Sequence, residues 1–380
     1  MEQVTRKIQM VDLLSQYEKI RTEVDEAVLN VIRSSAYING PEVKSFRSEL
    51  ENYLGVKHVI PCANGTDALQ IAMMALGLQP GDEVITADFT YVATAEVIGL
   101  LGLTPVLVDV VPDTFDIDVN AIEKAITPKT KAIVPVHLFG QCADMEKIMA
   151  VAKKHNLFVI EDTAQAIGAE YTFTNGKKQK AGTIGDIGCT SFFPSKNLGG
   201  FGDGGAIFTN DDDLAQKMQM IANHGQSVQY YHDVIGVNSR LDSIQAAILR
   251  IKLRHLDEYA AARNKAAAYY DKAFAGNAKI KTPARMKNST HVFHQYTLQL
   301  NGVDREALKK FLAEKGIPAM IYYPVPLHLQ KAYTDPRYKK GDFPVTEKLC
   351  ASVISLPMHT ELDEDTLKYI TGSVLEFVNA

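Results

Sequence analysis

From about residue 57 to residue 209 the chain alternates short apolar runs with helical stretches, and that alternation leaves few folds open to it. The runs are His58–Pro61, Glu83–Thr86, Pro105–Asp109, Ala132–Val136, Phe158–Glu161, Cys189–Phe192 and Ala206–Thr209. They are rich in Val and Ile, and several show no apolar/polar alternation. Strands buried on both faces of a parallel sheet under helices read this way. Helices are predicted between them at about 66–77, 118–126 and 144–155, with Pro80-Gly81 and Pro112-Asp113 punctuating the loops. The fold class is therefore α/β.

The flanks read differently. A helix is predicted over 12–34, with Leu13, Tyr17, Ile20, Val24, Val28 and Val31 on one stripe. A long helix from near Ser239 to about Phe274 is expected to carry the chain from a large domain to a small one. After it come a strand at His294–Leu300, a helix at Arg305–Lys315 and a terminal helix at Asp363–Val378. The polar, proline-bearing segment Tyr333–Phe343 reads as a surface loop. A chain of 380 residues exceeds what one small core supports. A large domain over 1–250 and a small one over 251–380 are expected, with the N-terminal helix packing on the small one.

Bulk chemistry excludes several partners. A formal net charge of -5 and a pI near 6.1 give no sign of a nucleic-acid or polybasic membrane contact. No apolar run approaches the length of a membrane span, and Met1–Lys7 is polar with no apolar stretch behind it. A cytoplasmic protein is expected. Cys62, Cys142, Cys189 and Cys350 are far apart without a CxxC pair, which predicts free buried thiols, no disulfide framework and no metal site.

The densest chemical signal is Thr190–Gly205, TSFFPSKNLGGFGDGG, where a strand ends, presents Ser191 and Lys196, and enters a glycine-rich segment. Glycines let backbone approach a bulky ligand. A partly buried lysine beside them has a lowered pKa and a free amine, suited to Schiff-base chemistry. On its own the segment also fits a surface lysine on a flexible loop. Upstream, Phe158-Val159-Ile160-Glu161-Asp162 is a strand ending in two acids, and an acid at the carboxyl end of a parallel strand points into the ligand crevice. Asp162 alone also fits a helix cap. Earlier still, Cys62–Asp67 joins a strand to a helix whose first N–H groups, at Gly65 and Thr66, are placed to take a phosphate. Phe89-Thr90-Tyr91 supplies an aromatic face. Phosphate cradle, ring face, ring-nitrogen acid and lysine answer the separate needs of one cofactor, pyridoxal 5'-phosphate.

At these residues the sequence resembles the DegT/StrS family of sugar aminotransferases. The shared segments are Tyr37–Glu42, Ala63–Leu69, Thr90–Thr94, Glu161–Gln165, Ser195-Lys196-Asn197, Asn238–Asp242 and Leu356–His359. The resemblance implies the type I aspartate-aminotransferase fold: a seven-stranded, mainly parallel sheet flanked by helices, plus a smaller α+β domain. It also implies a homodimer with composite active sites. It assigns Lys196 as Schiff-base lysine and proton shuttle, and Asp162 to the pyridine nitrogen. Tyr91 is assigned to the ring face, Gln165 to the region of the ring hydroxyl, and Gly65, Thr66 and Ser191 to the phosphate. Asn238 is expected to reach the phosphate from the partner subunit, and Arg240 to meet the sugar or nucleotide. Some relatives carry histidine for the lysine and dehydrate their substrate; Lys196 favours amino transfer, with L-glutamate as the implied donor.

The whole-chain pattern resembles members that aminate C3 of a UDP-linked 2-acetamido-3-keto-glucuronate for surface polysaccharide. Those relatives tend to carry histidine where Tyr322 stands, which leaves Arg240 as the charge partner for a sugar carboxylate. The competing substrate is a neutral 6-deoxy-3-keto or 4-keto sugar on dTDP or UDP. Tyr322, Tyr323 and His328 are candidate substrate contacts. Two other classes stay open: a lyase or decarboxylase on the same fold, and a cofactor-binding regulator, against which stands the lack of a helix-turn-helix region or basic patch.

Overall fold

In the computed structural model, which describes residues 8–380, the seven apolar runs form one sheet. Its order is His58–Cys62, Gly205–Thr209, Ile187–Ser191, Phe158–Asp162, Thr130–Val134, Glu83–Ala87, Thr104–Val108. Every neighbouring pair is parallel except that Gly205–Thr209 runs antiparallel to both of its neighbours. The missing apolar/polar alternation has a direct cause. Ile85, Ile133 and Val159 face one core, whereas their chain neighbours Val84, Ala132 and Ile160 face another, and all six are 0% exposed. With both faces apolar, facing alone cannot fix strand register. Polar strand ends such as Glu161 and Asp162, each with set partners, supply that information.

The predicted N-terminal helix is Leu13–Ser34, opened by Asp12, whose side chain accepts from the Ser15 N–H. Its stripe buries Ile20 and Val24 against Ile248 and Ile251. A following helix, Pro41–Leu54, was not anticipated; it starts on a proline, where a helix needs no N–H donor, and ends at Gly55 in the left-handed region. The helices predicted within the sheet region are Gly65–Ala75, Val119–Ala125 and Met145–His155.

The single long helix expected over 239–274 is two, Ser243–Arg254 and Leu256–Phe274, divided at His255 (φ −100°, ψ 0°). The break lets each half serve a different core. Ala246, Leu249 and Leu253 pack with Phe46, Phe192 and Phe208, whereas Ala266, Ala267, Tyr270 and Phe274 pack with Leu298, Ile354 and Val374. That second core is covered by an antiparallel sheet of Ile280–Lys281, Tyr296–Leu300 and Val353–Leu356 and by helices Arg305–Glu314 and Glu364–Asn379. The start of the chain joins it: Ile8 packs there and the Met358 N–H donates to the Met10 carbonyl. Met1–Lys7 lies outside the described residues.

Tyr333–Phe343 has a short 3-10 turn at its start and no longer helix or strand, but it is more than a surface loop. Phe343 is buried, and the Tyr338 hydroxyl accepts from the Leu107 N–H at 3.0 Å. All four cysteines are free and buried. Among the described residues no helix is long and apolar enough to cross a membrane, and no cluster of ligating side chains is arranged to hold a metal ion.

Candidate active site

Loops from the carboxyl ends of successive strands meet at a cavity of about 790 Å³. After His58–Cys62, Asn64 caps the helix Gly65–Ala75 by accepting from the Asp67 N–H at 2.8 Å. Among the described residues nothing accepts the N–H of Gly65 or Thr66, so both remain available at the positive end of the helix. Both line the cavity beside Ser191. Close packing forces glycine at two positions here. A Cβ on Gly65 would lie 2.7 Å from Ser191 Cβ, and one on Gly205 would lie 2.5 Å from the Asn64 carbonyl carbon.

Asp162 ends its strand against the same cavity and is 7% exposed. Its Oδ1 accepts from the Ala164 N–H at 3.1 Å and its Oδ2 from the Thr94 hydroxyl at 3.0 Å. Burial pushes its carboxyl upward in pKa, while the Ala164 N–H, the charge of Lys196 and the Thr94 hydroxyl pull it back. Lys196, in the turn after Ile187–Ser191, also lines the cavity. Desolvation pulls its amine down to about 8, against the opposing effect of the Asp162 charge.

Behind Asp162, on the opposite face of the strand, lies a sealed polar cluster. Glu161 Oε1 accepts from the N–H groups of Ile184 and Gly185 at 2.7 and 2.6 Å, and Oε2 accepts from Gly182 at 2.9 Å. His137 Nε2 lies 2.8 Å from the same Oε2, with both side chains 0% exposed. His137 Nδ1 accepts from the Ala143 N–H, so Nε2 carries the proton and donates to Glu161. The His137 N–H in turn bonds the Asp162 carbonyl at 3.0 Å.

The sequence pattern of the DegT/DnrJ/EryC1/StrS aminotransferase family matches residues 18–375. The chain belongs to this family. A protein named as a pleiotropic regulatory protein in Geobacillus stearothermophilus is 48% identical, over 97% of this chain and 98% of that one. The UDP-2-acetamido-2-deoxy-3-oxo-D-glucuronate aminotransferase of Pseudomonas aeruginosa is 47% identical over 97% and 99%. Among solved structures, DesV of S. venezuelae shares 38% identity with a TM-score of 0.94, covering 99% of this chain and all of its own. The protein is thus a sugar aminotransferase of the type I fold, and pyridoxal 5'-phosphate is its cofactor.

The aminotransferase's cavity suits that cofactor on its own terms. It offers two free helix N–H groups and the Ser191 hydroxyl at one point, and an amine beside a buried acid at another. Two buried wall atoms, Thr90 Oγ1 and His294 Nδ1, have no hydrogen-bond partner among the described residues. Burial and the nearby cations Lys196 and Arg263 hold His294 neutral.

The other expected residues divide. Tyr91, 57% exposed, lines the cavity, and its ring centre lies 6.4 Å from that of Tyr323. Gln165 is fixed at both ends: its Oε1 accepts from the Phe139 N–H at 2.8 Å and its Nε2 donates to the Tyr323 hydroxyl at 3.1 Å. Tyr322 and Tyr323 both line the wall. Asn238 and Arg240 lie outside the cavity of their own chain; Asn238 is exposed and Arg240 half-buried. His328 corrects the sequence reading. It is 4% exposed, absent from the cavity wall, and occupied by Asp88 and Glu347, so it has no free face for substrate. The sequence reading missed Thr90, Thr94, His294 and Gln295. For Thr94 a signal existed: it closes the Thr90–Thr94 segment already singled out.

Proposed function

We propose that the enzyme moves an amino group from L-glutamate to C3 of UDP-2-acetamido-2-deoxy-3-oxo-glucuronate, a step toward surface polysaccharide made in the cytoplasm. The observation carrying the catalytic part is the meeting of Lys196, its amine lowered to about 8, with the buried Asp162 in one cavity. The sugar assignment is supported by the name of the Pseudomonas relative and the near-complete overlap with it.

When bound, the cofactor supplies an aldehyde that accepts an amine and a ring that absorbs electrons released at the substrate carbon. The residues divide the rest. Gly65, Thr66 and Ser191 hold the phosphate by hydrogen bonds and helix dipole. Asp162, anchored by Thr94 and the Ala164 N–H, keeps a proton on the ring nitrogen. Tyr91 covers the ring and Gln165 its hydroxyl side. The Lys196 amine, largely neutral once pH exceeds about 8, takes the proton from the α-carbon of the donor and later returns one to the sugar carbon. Donor and acceptor use the same residues in turn, so the kinetics are ping-pong.

The working unit in this proposal is a homodimer. Asn238 and Arg240 sit away from their own cavity, beside a hairpin that exposes Tyr230, Tyr231 and Ile235 by 80%, 69% and 88%. Across a two-fold interface they would complete the partner's site, Asn238 at the phosphate and Arg240 at the sugar carboxylate. A second reading, a regulator that binds the cofactor without turnover, is favoured by the name of the Geobacillus relative.

Replacing Lys196 by Ala tests the core of the proposal. The visible absorbance of the lysine-bound cofactor and all turnover should vanish; an unchanged band would remove Lys196 from the role. Loss of the wild-type band on adding L-glutamate separates the enzyme from the regulator. A panel of nucleotide keto-sugars read by mass spectrometry tests the acceptor, and a neutral 6-deoxy sugar as sole substrate would overturn the glucuronate assignment.

A further inference from the structure

Two carboxylates enclose His328. Its Nδ1 lies 2.7 Å from Asp88 Oδ2, and its backbone N–H donates to Asp88 Oδ1 at 2.8 Å. Its Nε2 lies 3.3 Å from Glu347 Oε1, which also accepts from the Gly341 N–H at 2.5 Å. The Leu327 N–H adds a bond to the Asp88 carbonyl at 3.2 Å, and Phe343 packs edge-on against the imidazole at 4.8 Å. The side chains of His328 and Asp88 are both 0% exposed, and neither lines the cavity. Burying such groups yields little net stability, but it fixes geometry, because any displacement leaves charge unpaired.

What is fixed lies on either side of the clamp. Asp88 is followed by Phe89, Thr90 and Tyr91; His328 is preceded, five residues back, by Tyr322-Tyr323. Phe89 meets the Tyr323 ring edge-on at 5.9 Å, Tyr91 lies 6.4 Å from it, and the Tyr323 hydroxyl accepts from Gln165. Two remote stretches of chain therefore form one cavity wall, and the clamp joins them just outside it.

We propose that His328 is a positioning residue for the sugar side of the site: held between Asp88 and Glu347, it sets where Tyr322 and Tyr323 stand and thereby how tightly the hexose of a nucleotide sugar is held. The inference rests on the nucleotide-sugar reading above.

The test compares holoenzyme carrying His328→Ala with His328→Asn, whose amide keeps a donor toward Asp88 Oδ2. Binding of UDP-N-acetylglucosamine, an unreactive nucleotide sugar, is measured by calorimetry, and the glutamate half-reaction by loss of the cofactor's visible band. His328→Ala should weaken sugar binding about tenfold, as expected for loss of one buried hydrogen-bonded contact, with the glutamate rate within about twofold of wild type. His328→Asn should recover most of the binding. Unchanged sugar binding in His328→Ala, or an equal loss in both assays, overturns the proposal. Should His328→Ala fail to fold, the milder Glu347→Gln takes its place with the same expectations. If the wild-type enzyme does not bind the probe, the sugar reading has failed, and nitration of Tyr323 by tetranitromethane then decides. Faster nitration in His328→Ala supports the clamp; an unchanged rate overturns it.

Discussion

Replacing Glu161 by Gln, a change of one atom, should damage this protein more than most core substitutions. Each carboxylate oxygen takes two donors: Ile184 and Gly185 N–H on one, Gly182 N–H and His137 Nε2 on the other. A glutamine must turn its NH₂ toward one of those pairs, so two charge-assisted bonds are lost and donors face donors. At about 1.5–3 kcal/mol for each such bond, the loss is roughly 3–6 kcal/mol, in line with the ~3–5 kcal/mol for breaking a buried ionic pair. The side chain is 0% exposed, so water cannot rescue it. The assay is urea unfolding of the cofactor-free protein, followed by far-ultraviolet circular dichroism. Because His137 also bonds the Asp162 carbonyl, the variant should release cofactor faster as well. A loss below about 1 kcal/mol would refute the reasoning, since it would mean that the four donors do not depend on the Glu161 carboxylate for their partners.

Other outcomes follow from the site. Gly65→Ala places a methyl 2.7 Å from Ser191 Cβ; at about 1–3 kcal/mol for such overpacking, cofactor affinity should fall roughly 5- to 150-fold, read by equilibrium dialysis. In the cofactor-free protein, acylation of Lys196 followed by peptide mass spectrometry should rise through pH 8, ahead of surface lysines. The sign is that of a lysine lowered in the fold: the neutral amine is favoured, so the folded state gains stability as pH rises from about 8 toward 10.5. Reactivity that tracks the surface lysines would contradict this.

Much of the sheet was legible because burial on both faces leaves a mark in local composition: Val84-Ile85 and Val159-Ile160 need no partner to be read as strands. Lys196 and Asp162 were legible for a related reason, since glycine density and a strand ending in acids are local features. The division at His255 was not, because helical periodicity runs straight through it and only the change of core on either side requires a break. His328 was misread on the same ground. A histidine beside two tyrosines looks like a ligand contact, and only folding brings Asp88 and Glu347 to its two nitrogens. The wall atoms of Thr90 and His294 carried no signal, because being unpartnered is a property of three-dimensional surroundings.

Gly205 pairs with Cys62 on one side and with Ser191 on the other. The reversed strand it begins is the last of the seven in chain order, yet it sits between the first and the sixth. A growing chain can therefore lay down the neighbouring parallel strands early, but the segment after Cys62 and the segment carrying Lys196 come together only once this late strand is inserted between them. Such a distant closure is slow, since its entropy is lost before its contacts form. Under the phosphate assignment proposed above, capture of the vitamin-derived cofactor thus reports that the sheet is complete: a chain halted short of this insertion has most of the large core, but its Gly65 and Thr66 stand apart from Ser191.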